Sequence, residues 1–264
     1  MAEWFEQFFS GLYRDVLAQQ FGDERTAQQA RRIKRLLGLR RGAKVLDVPC
    51  GLGRISLALA ELGMDVTGVD LMPHFVRAAR STAKRRGLDA AFAAGDMRAL
   101  AFEGEFNAVV NWFTSFGYFS DEENLEVLKG FWRALKPGGR VLIETLQTPH
   151  APPAGAGRRS ETVGPARVVH RVRYDPRSHR IVGHWVITKG GATEKVPMNL
   201  RVYTGRELQA LLLEAGFEEP RMYGHPPLGP LERRSRRMIA IARRPVRGRK
   251  TPGAGPGDQE RSAT

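Results

Sequence analysis

Between Lys44 and Thr145 short apolar runs alternate with amphipathic stretches, and this alternation leaves the chain few architectures. KVLDV (44–48) is apolar enough for a buried strand, RISLALAELG (54–63) has helical periodicity and stops at Gly63, and DVTGVD (65–70) is the next strand. A helix over about 73–86 ends before Gly87, a short strand covers 90–94, and another covers about 106–112. Residues 122–135 read as a helix stopped by Lys136-Pro137-Gly138-Gly139, and Arg140 to Thr145 as one more buried strand. Strands separated by crossover helices run parallel, and the helices cover both sheet faces. Further along, a helix over 205–215 ends at Gly216, and FEEPRMYG (217–224) and RRMIAIAR (236–243) add two strands. The prediction is an α/β, Rossmann-like fold with a mostly parallel seven-stranded sheet flanked by helices.

Two segments fall outside this pattern. Residues 3–20 place Trp4, Phe5, Phe8, Phe9, Leu12, Tyr13, Val16 and Leu17 at helical spacing, and a basic helix at about 25–37 follows. So many aromatics would be costly if exposed, which makes the first stretch a cover element. After a Pro-, Gly-, Ala- and Arg-rich stretch at about 151–160 come three alternating runs, 166–175, 180–190 and 194–203. They predict an antiparallel β insertion lying against the main domain. The expected organisation is a helical cover (1–43), a ligand-binding core (44–150), a substrate-side β insertion (151–203), completion of the core (204–243) and a disordered basic tail (244–264).

Composition narrows the function classes. No run approaches the roughly 20 apolar residues of a membrane span, and the first residues lack the pattern of a secretory signal. One cysteine, Cys50, allows neither an internal disulfide nor a thiolate cluster, so no metal is expected and a reducing cytoplasm is the expected compartment. The net charge of +14 is concentrated in Arg31–Arg41 and Arg233–Lys250. Such charge supports solubility and anion attraction more directly than a specific nucleic-acid partner.

VLDVPCGLGR (45–54) carries most of the functional information. A strand enters a glycine turn that opens a helix, so backbone amides can approach a ligand at the carboxyl edge of the sheet. Gly51 and Gly53 would leave that approach open, although a structural tight turn would need them as well. Asp70, nineteen residues beyond Gly51, ends the adjoining strand, where its carboxylate can accept ribose hydroxyls. This also fits a nicotinamide dinucleotide, but Ser56 departs from the third glycine of that fingerprint. Asp70 and Asp96 also fit helix caps, and Met72 and Met97 fit packing.

VLDVPCGLGR, Asp70, Gly95-Asp96-Met97, NWFTSFGYFS (111–120) and LKPGGRVLIET (135–145) together resemble the class I S-adenosylmethionine-dependent methyltransferases, in particular their small-molecule branch. The match covers about residues 25–243, and Pro49 stands where the family more commonly has a first turn glycine. The resemblance implies S-adenosyl-L-methionine as cofactor and S-adenosyl-L-homocysteine as product. It implies that the turn from Asp47 to Gly53 surrounds the methionine portion, with the Gly51 carbonyl near its ammonium. Asp70 would bind ribose, Leu71 and Met72 would cover adenine, Asp96 would accept from the exocyclic amine, and the Met97 amide would contact the ring. Asn111 would help hold the aminoacyl end through its backbone.

The reaction so implied is in-line methyl transfer to nitrogen or oxygen of a small-molecule acceptor. His150, just beyond the fifth strand, is the candidate base, and Tyr118 and Tyr13 are candidate hydroxyl donors to the acceptor. Arg201 and Tyr203 could anchor an anionic or hydroxyl group, or tie the insertion to the core. Trp112 and Phe113 read as core; Phe116, Tyr118 and Phe119 read as pocket or cover. His170 and His184 have no carboxylate close in sequence. An RNA or protein acceptor, a noncatalytic cofactor-binding module and a nicotinamide-dependent oxidoreductase are the competing classes, and the chain could act as monomer or homodimer.

Overall fold

The computed structural model describes residues 3–148, 158–226 and 228–246. The elements in chain order are α1 (Trp4–Ser10), α2 (Tyr13–Gln19), α3 (Asp23–Leu37), β1 (Lys44–Asp47), α4 (Arg54–Glu61), β2 (Asp65–Asp70), α5 (Pro73–Arg86), β3 (Ala90–Ala94), β4 (Phe106–Asn111), α6 (Asp121–Ala134) and β5 (Leu135–Leu146). They continue as β6 (Arg158–Val163), β7 (Ala166–Asp175), β8 (Arg180–Lys189), β9 (Ala192–Arg201), α7 (Gly205–Glu214), β10 (Glu218–His225), β11 (Gly229–Pro230) and β12 (Arg237–Arg243).

The main sheet has the order β11-β10-β12-β5-β4-β1-β2-β3. β1, β2, β3, β4 and β5 pair in parallel, whereas β12, β10 and β11 add antiparallel. The sheet therefore has eight strands rather than the expected seven, because Gly229 and Pro230 pair with Gly224 and Tyr223. A two-residue strand is too short to carry a periodic signal.

Adjacent residues of the central strands point to opposite cores. Val45, Ala108, Val110 and Leu142 pack with α3 and α4, and Leu46, Val109, Val141 and Ile143 pack with α6 and α7. Burial on both faces is why these strands read as continuous apolar runs. β5 starts earlier than expected, within Leu135–Gly139, and the extra residues are absorbed by a register shift between Phe106 and Ala108. α6 and α7 each open on a capping box, Ser120 with Glu123 and Thr204 with Glu207.

The insertion is a four-stranded antiparallel sheet, β6-β7-β8-β9, not the three strands expected. RRSETV, the sequence of β6, has one apolar residue in six, so hydrophobic alternation could not reveal it.

Residues 3–20 form two helices broken at Gly11. A Cβ on Gly11 would lie 2.0 Å from Glu194 Oε1, and the Leu12 amide donates to the same carboxylate at 2.5 Å. Phe8, Tyr13 and Val16 pack against Ala166, Val168, Ile187 and Val196 of the insertion, and Lys189 pairs with Asp15 at 2.7 Å. The cover is thus fastened to the insertion by an apolar seam and two polar contacts.

Candidate functional site

The carboxyl ends of β1, β2, β3 and β4 open into a cavity of about 600 Å³. Its floor comes from the segments Asp47–Leu52, Asp70–Met72, Gly95–Met97 and Trp112–Ser115. α1 and α2 close it from above, joined by Trp185, Met198 and Leu200 of the insertion. Such a volume suits a small-molecule site, for which about 300–1,000 Å³ is usual.

The turn after β1 is held by backbone bonds from Cys50 N to Val69 O and from Gly53 N to Cys50 O, each 2.9 Å. Its Val48–Pro49 bond is cis. Gly51, at φ +55°, faces the cavity, with only Leu17 Cδ2 within 4 Å of where a Cβ would stand. Gly53, at φ +77°, serves another purpose: a Cβ there would lie 2.9 Å from Ala79 Cβ and 3.1 Å from Phe92. Gly53 therefore permits the packing of α4 against α5 and β3, and it is not part of the cavity wall.

Asp70 ends β2 with its carboxylate aimed back at this turn. Oδ2 accepts from Gly51 N at 2.7 Å, and Oδ1 accepts from Met72 N at 2.9 Å. A carboxylate has about four acceptor positions, so two remain for a ligand. Burial raises the Asp70 pKa to about 6, against the lowering effect of the two amides. Asp47 is buried more deeply and is raised to about 7 by burial, although Ser56 Oγ donates to it at 2.5 Å.

This gives a pH prediction. Hydroxyl donors prefer the ionised Asp70, whose free-state pKa lies near 6, so if Asp70 takes the ribose as the resemblance implies, affinity for S-adenosylhomocysteine should be flat above about pH 7 and fall as pH drops through about 6. At pH 5 it should be about tenfold weaker, since one pKa unit corresponds to one decade. Calorimetric titration from pH 5 to 8 reads this directly. The Asp70→Asn variant should be weaker throughout and lack the step; a step that persists there belongs to another group.

Asp96 caps the 3₁₀ turn Met97–Ala99 and is clasped by Arg98, whose Nη2 lies 2.7 Å from Oδ2. Burial works against ionisation, but the Arg98 bonds hold this carboxyl below its ordinary range. Arg98 also reaches Glu3 at 3.1 Å and Glu123 at 2.8 Å, linking the cover to α6. Leu71, Met72 and Met97 line the cavity. Asn111 does not: it is fully buried, and its Nδ2 donates to Val48 O at 2.9 Å, beneath the turn.

The segment after β4 divides differently from the sequence expectation. Phe116 is fully buried beside Tyr203, with ring centroids 5.4 Å apart, and lies outside the cavity lining. Trp112 and Phe113, read as core, line it together with Tyr118 and Phe119. Trp4 Nε1 donates to Tyr118 O at 3.0 Å, and the Phe5 and Tyr118 rings stack at 5.8 Å. Tyr13 and Tyr118 are both cavity residues whose phenols burial drives far above their ordinary pKa. They are suited to donating hydrogen bonds and not to accepting protons as phenolates.

Phe113 and Thr114 adopt φ +68° and +61°, a strained pair for residues with side chains. Glu144 holds them there. Its Oε2 accepts from Phe113 N at 2.9 Å, its backbone oxygen accepts from Thr114 N at 2.9 Å, and Arg237 bridges its carboxylate to Thr114 Oγ1. Sequence reasoning missed Glu144 and Arg237. The available signal was Glu144 itself, the one acid in the apolar run VLIETL.

Arg201 and Tyr203 are corrected as acceptor ligands. Arg201 pairs with Asp121 at 3.0 Å and Glu207 at 3.1 Å, and Tyr203 OH lies 3.1 Å from Asn124 Nδ2, all outside the cavity wall. These bonds tie the end of β9 to α6 and α7. His170 finds Glu161, 2.9 Å away on the unexpected β6, and neither it nor His184 reaches the cavity. His150 lies outside the described residues. Among the described residues no three metal-ligating side chains come together, and no helix is long and apolar enough to cross a membrane.

Comparison with known proteins bears on the family and the fold. A family model described as a methyltransferase domain matches residues 45–139. The cypemycin N-terminal methyltransferase of a Streptomyces species is 30% identical over 207 residues, covering 77% of this chain and 84% of that protein. The demethylmenaquinone methyltransferase of Beutenbergia cavernae is 38% identical over 114 residues, covering 43% of this chain and 45% of that protein. The chain thus spans less than half the length of several curated relatives that it matches. The solved structure of the CcbJ methyltransferase from Streptomyces caelestis superposes with a TM-score of 0.75 at 21% identity, over 88% of this chain and 96% of that one. At that identity the likeness shows the fold.

Proposed function

Because the chain belongs to the class I S-adenosylmethionine-dependent methyltransferases, we propose that it transfers a methyl group to nitrogen or oxygen of a small-molecule acceptor. The observation that carries this reading is the lining of the cavity. It combines the Gly51 turn and the spare acceptor positions of Asp70 with aromatic walls from Trp4, Phe5, Tyr13, Tyr118 and Trp185.

The residues present fit the cofactor. Asp70 would hold ribose, the Asp47–Leu52 turn the aminoacyl end, and Leu71, Met72 and Met97 the adenine, while Asp96 would have to share its carboxylate with Arg98. Bound there, the sulfonium supplies an electrophilic methyl group. The chain's own task is then alignment and exclusion of water. Aromatic walls restrict the acceptor, and the Tyr13 and Tyr118 phenols can orient it by hydrogen bonds. Orientation alone reaches effective molarities of about 10⁵–10⁸ M in favourable intramolecular reactions. No cavity-lining histidine occurs among the described residues.

A second reading is favoured by a relative that matches 77% of the chain and is named an N-terminal methyltransferase. The test is a screen with cofactor carrying a labelled methyl against small amines and phenols, short peptides with free amino termini, and RNA. Label on nitrogen or oxygen of a small molecule is expected, label on peptide amines alone supports the second reading, and label confined to RNA contradicts both. Tight cofactor binding with no transfer would favour a noncatalytic binding module.

A further inference from the structure

Arg54 opens α4, directly after the glycine turn, and its side chain lines the cavity. The guanidinium lies 4.2 Å from the Phe21 ring centroid and 5.7 Å from that of Phe113. Nη1 donates to Gln29 Oε1 at 2.5 Å, but Nη2 is buried and has no partner among the described residues. The two acids that act most on Arg54, Asp47 and Glu144, are committed elsewhere: Asp47 to Ser56, Glu144 to Arg237 and the Phe113 amide. Burial lowers the Arg54 pKa to about 10, which leaves the group charged at neutral pH.

A buried cation with one empty donor is an expensive arrangement. Leaving a charged donor unsatisfied costs more than leaving a neutral one so. Contact with the two aromatic rings offsets part of this cost but supplies no hydrogen-bond acceptor for Nη2. A planar, delocalised cation is matched best by a carboxylate, which brings both negative charge and acceptor oxygens.

We infer that Arg54 is the counter-ion of a ligand carboxylate bound in the cavity beside the glycine turn. The inference rests on the methyltransferase reading, within which such a group has two sources: the aminoacyl end of the cofactor, or an acidic acceptor. In either case Gln29 and the Phe21 and Phe113 rings hold the guanidinium in place, and Nη2 donates to the carboxylate.

Calorimetry on the full chain with two nucleosides separates the sources. S-adenosylhomocysteine carries the carboxylate, whereas 5′-methylthioadenosine keeps the nucleoside and thioether without it. If the cofactor is the source, Arg54→Gln weakens S-adenosylhomocysteine about 10- to 100-fold, the range of a charge-assisted hydrogen bond, and leaves methylthioadenosine within about twofold. Arg54→Lys should recover part of the loss. If the acceptor is the source, both nucleosides keep their affinity. Benzoate binding to the S-adenosylhomocysteine complex is then lost in Arg54→Gln, with benzyl alcohol as the uncharged control. Equal weakening of both nucleosides, or no change with nucleosides and benzoate alike, overturns the inference. Wild-type protein that binds neither nucleoside would remove the methyltransferase reading itself, a distinct failure.

Discussion

Replacing Asp70 with alanine is expected to weaken S-adenosylhomocysteine binding by about two to four orders of magnitude. Two hydrogen bonds from ribose to an ionised carboxylate contribute about 1.5–3 kcal/mol each, and about 1.4 kcal/mol corresponds to a factor of ten. The substitution also releases Gly51 N and Met72 N, the amides that Asp70 uses to fix the turn opposite β2. Asp70→Asn keeps the shape and one acceptor oxygen, so it should lose less. Titration calorimetry at pH 7.5 measures both variants, and unchanged affinity in Asp70→Ala would count against the assigned nucleoside position.

The second large effect is expected at Glu144. Its side chain is 2% exposed and serves both Arg237 and the Phe113 amide. Glu144→Ala strands the partly buried Arg237 and frees a turn whose two residues hold left-handed conformations at an intrinsic cost of about 1–3 kcal/mol each. Breaking one side of a buried pair typically destabilises by about 3–5 kcal/mol, which for a domain of this size lowers Tm by on the order of 10 °C. The double variant Glu144→Met with Arg237→Met should regain much of that stability, because neither member of the pair is then left as a charge without its partner. Turnover should remain low in the double variant, since the Phe113 amide and the Thr114 hydroxyl then lose their side-chain partners and only the backbone bond from Thr114 N to residue 144 remains. Full recovery of turnover along with Tm would show that the pair acts only through stability.

The parts of the fold that could be read from sequence are those where burial repeats along the chain. β1, β4 and β5 bury both faces, so their apolar runs were plain, and Asp70 was located by the strand that it ends. β6 was missed because its partner β7 supplies the apolar residues while RRSETV supplies almost none. That omission also hid Glu161, the partner of His170. The side chains around the cavity were legible where a local motif names them, as at Gly51 and Asp70. They were illegible where function depends on a tertiary pair: Glu144 and Arg237 stand 93 residues apart. Arg201 ends β9 and Tyr203 lies two residues beyond it, and Asp121 and Glu207, acids at the starts of α6 and α7, claim Arg201 before any ligand could. Gly53 fits the turn motif but owes its lack of a side chain to Ala79 and Phe92.

The central claim concerns where the sulfur of the cofactor sits. A crystal structure of the full chain with S-adenosylhomocysteine tests it most directly. The expected density places ribose on Asp70 and the thioether between the Gly51 turn and the rings of Tyr118 and Tyr13. Density for the nucleoside at any other surface, with the β1–β4 crevice packed by the chain's own side chains, would contradict the account.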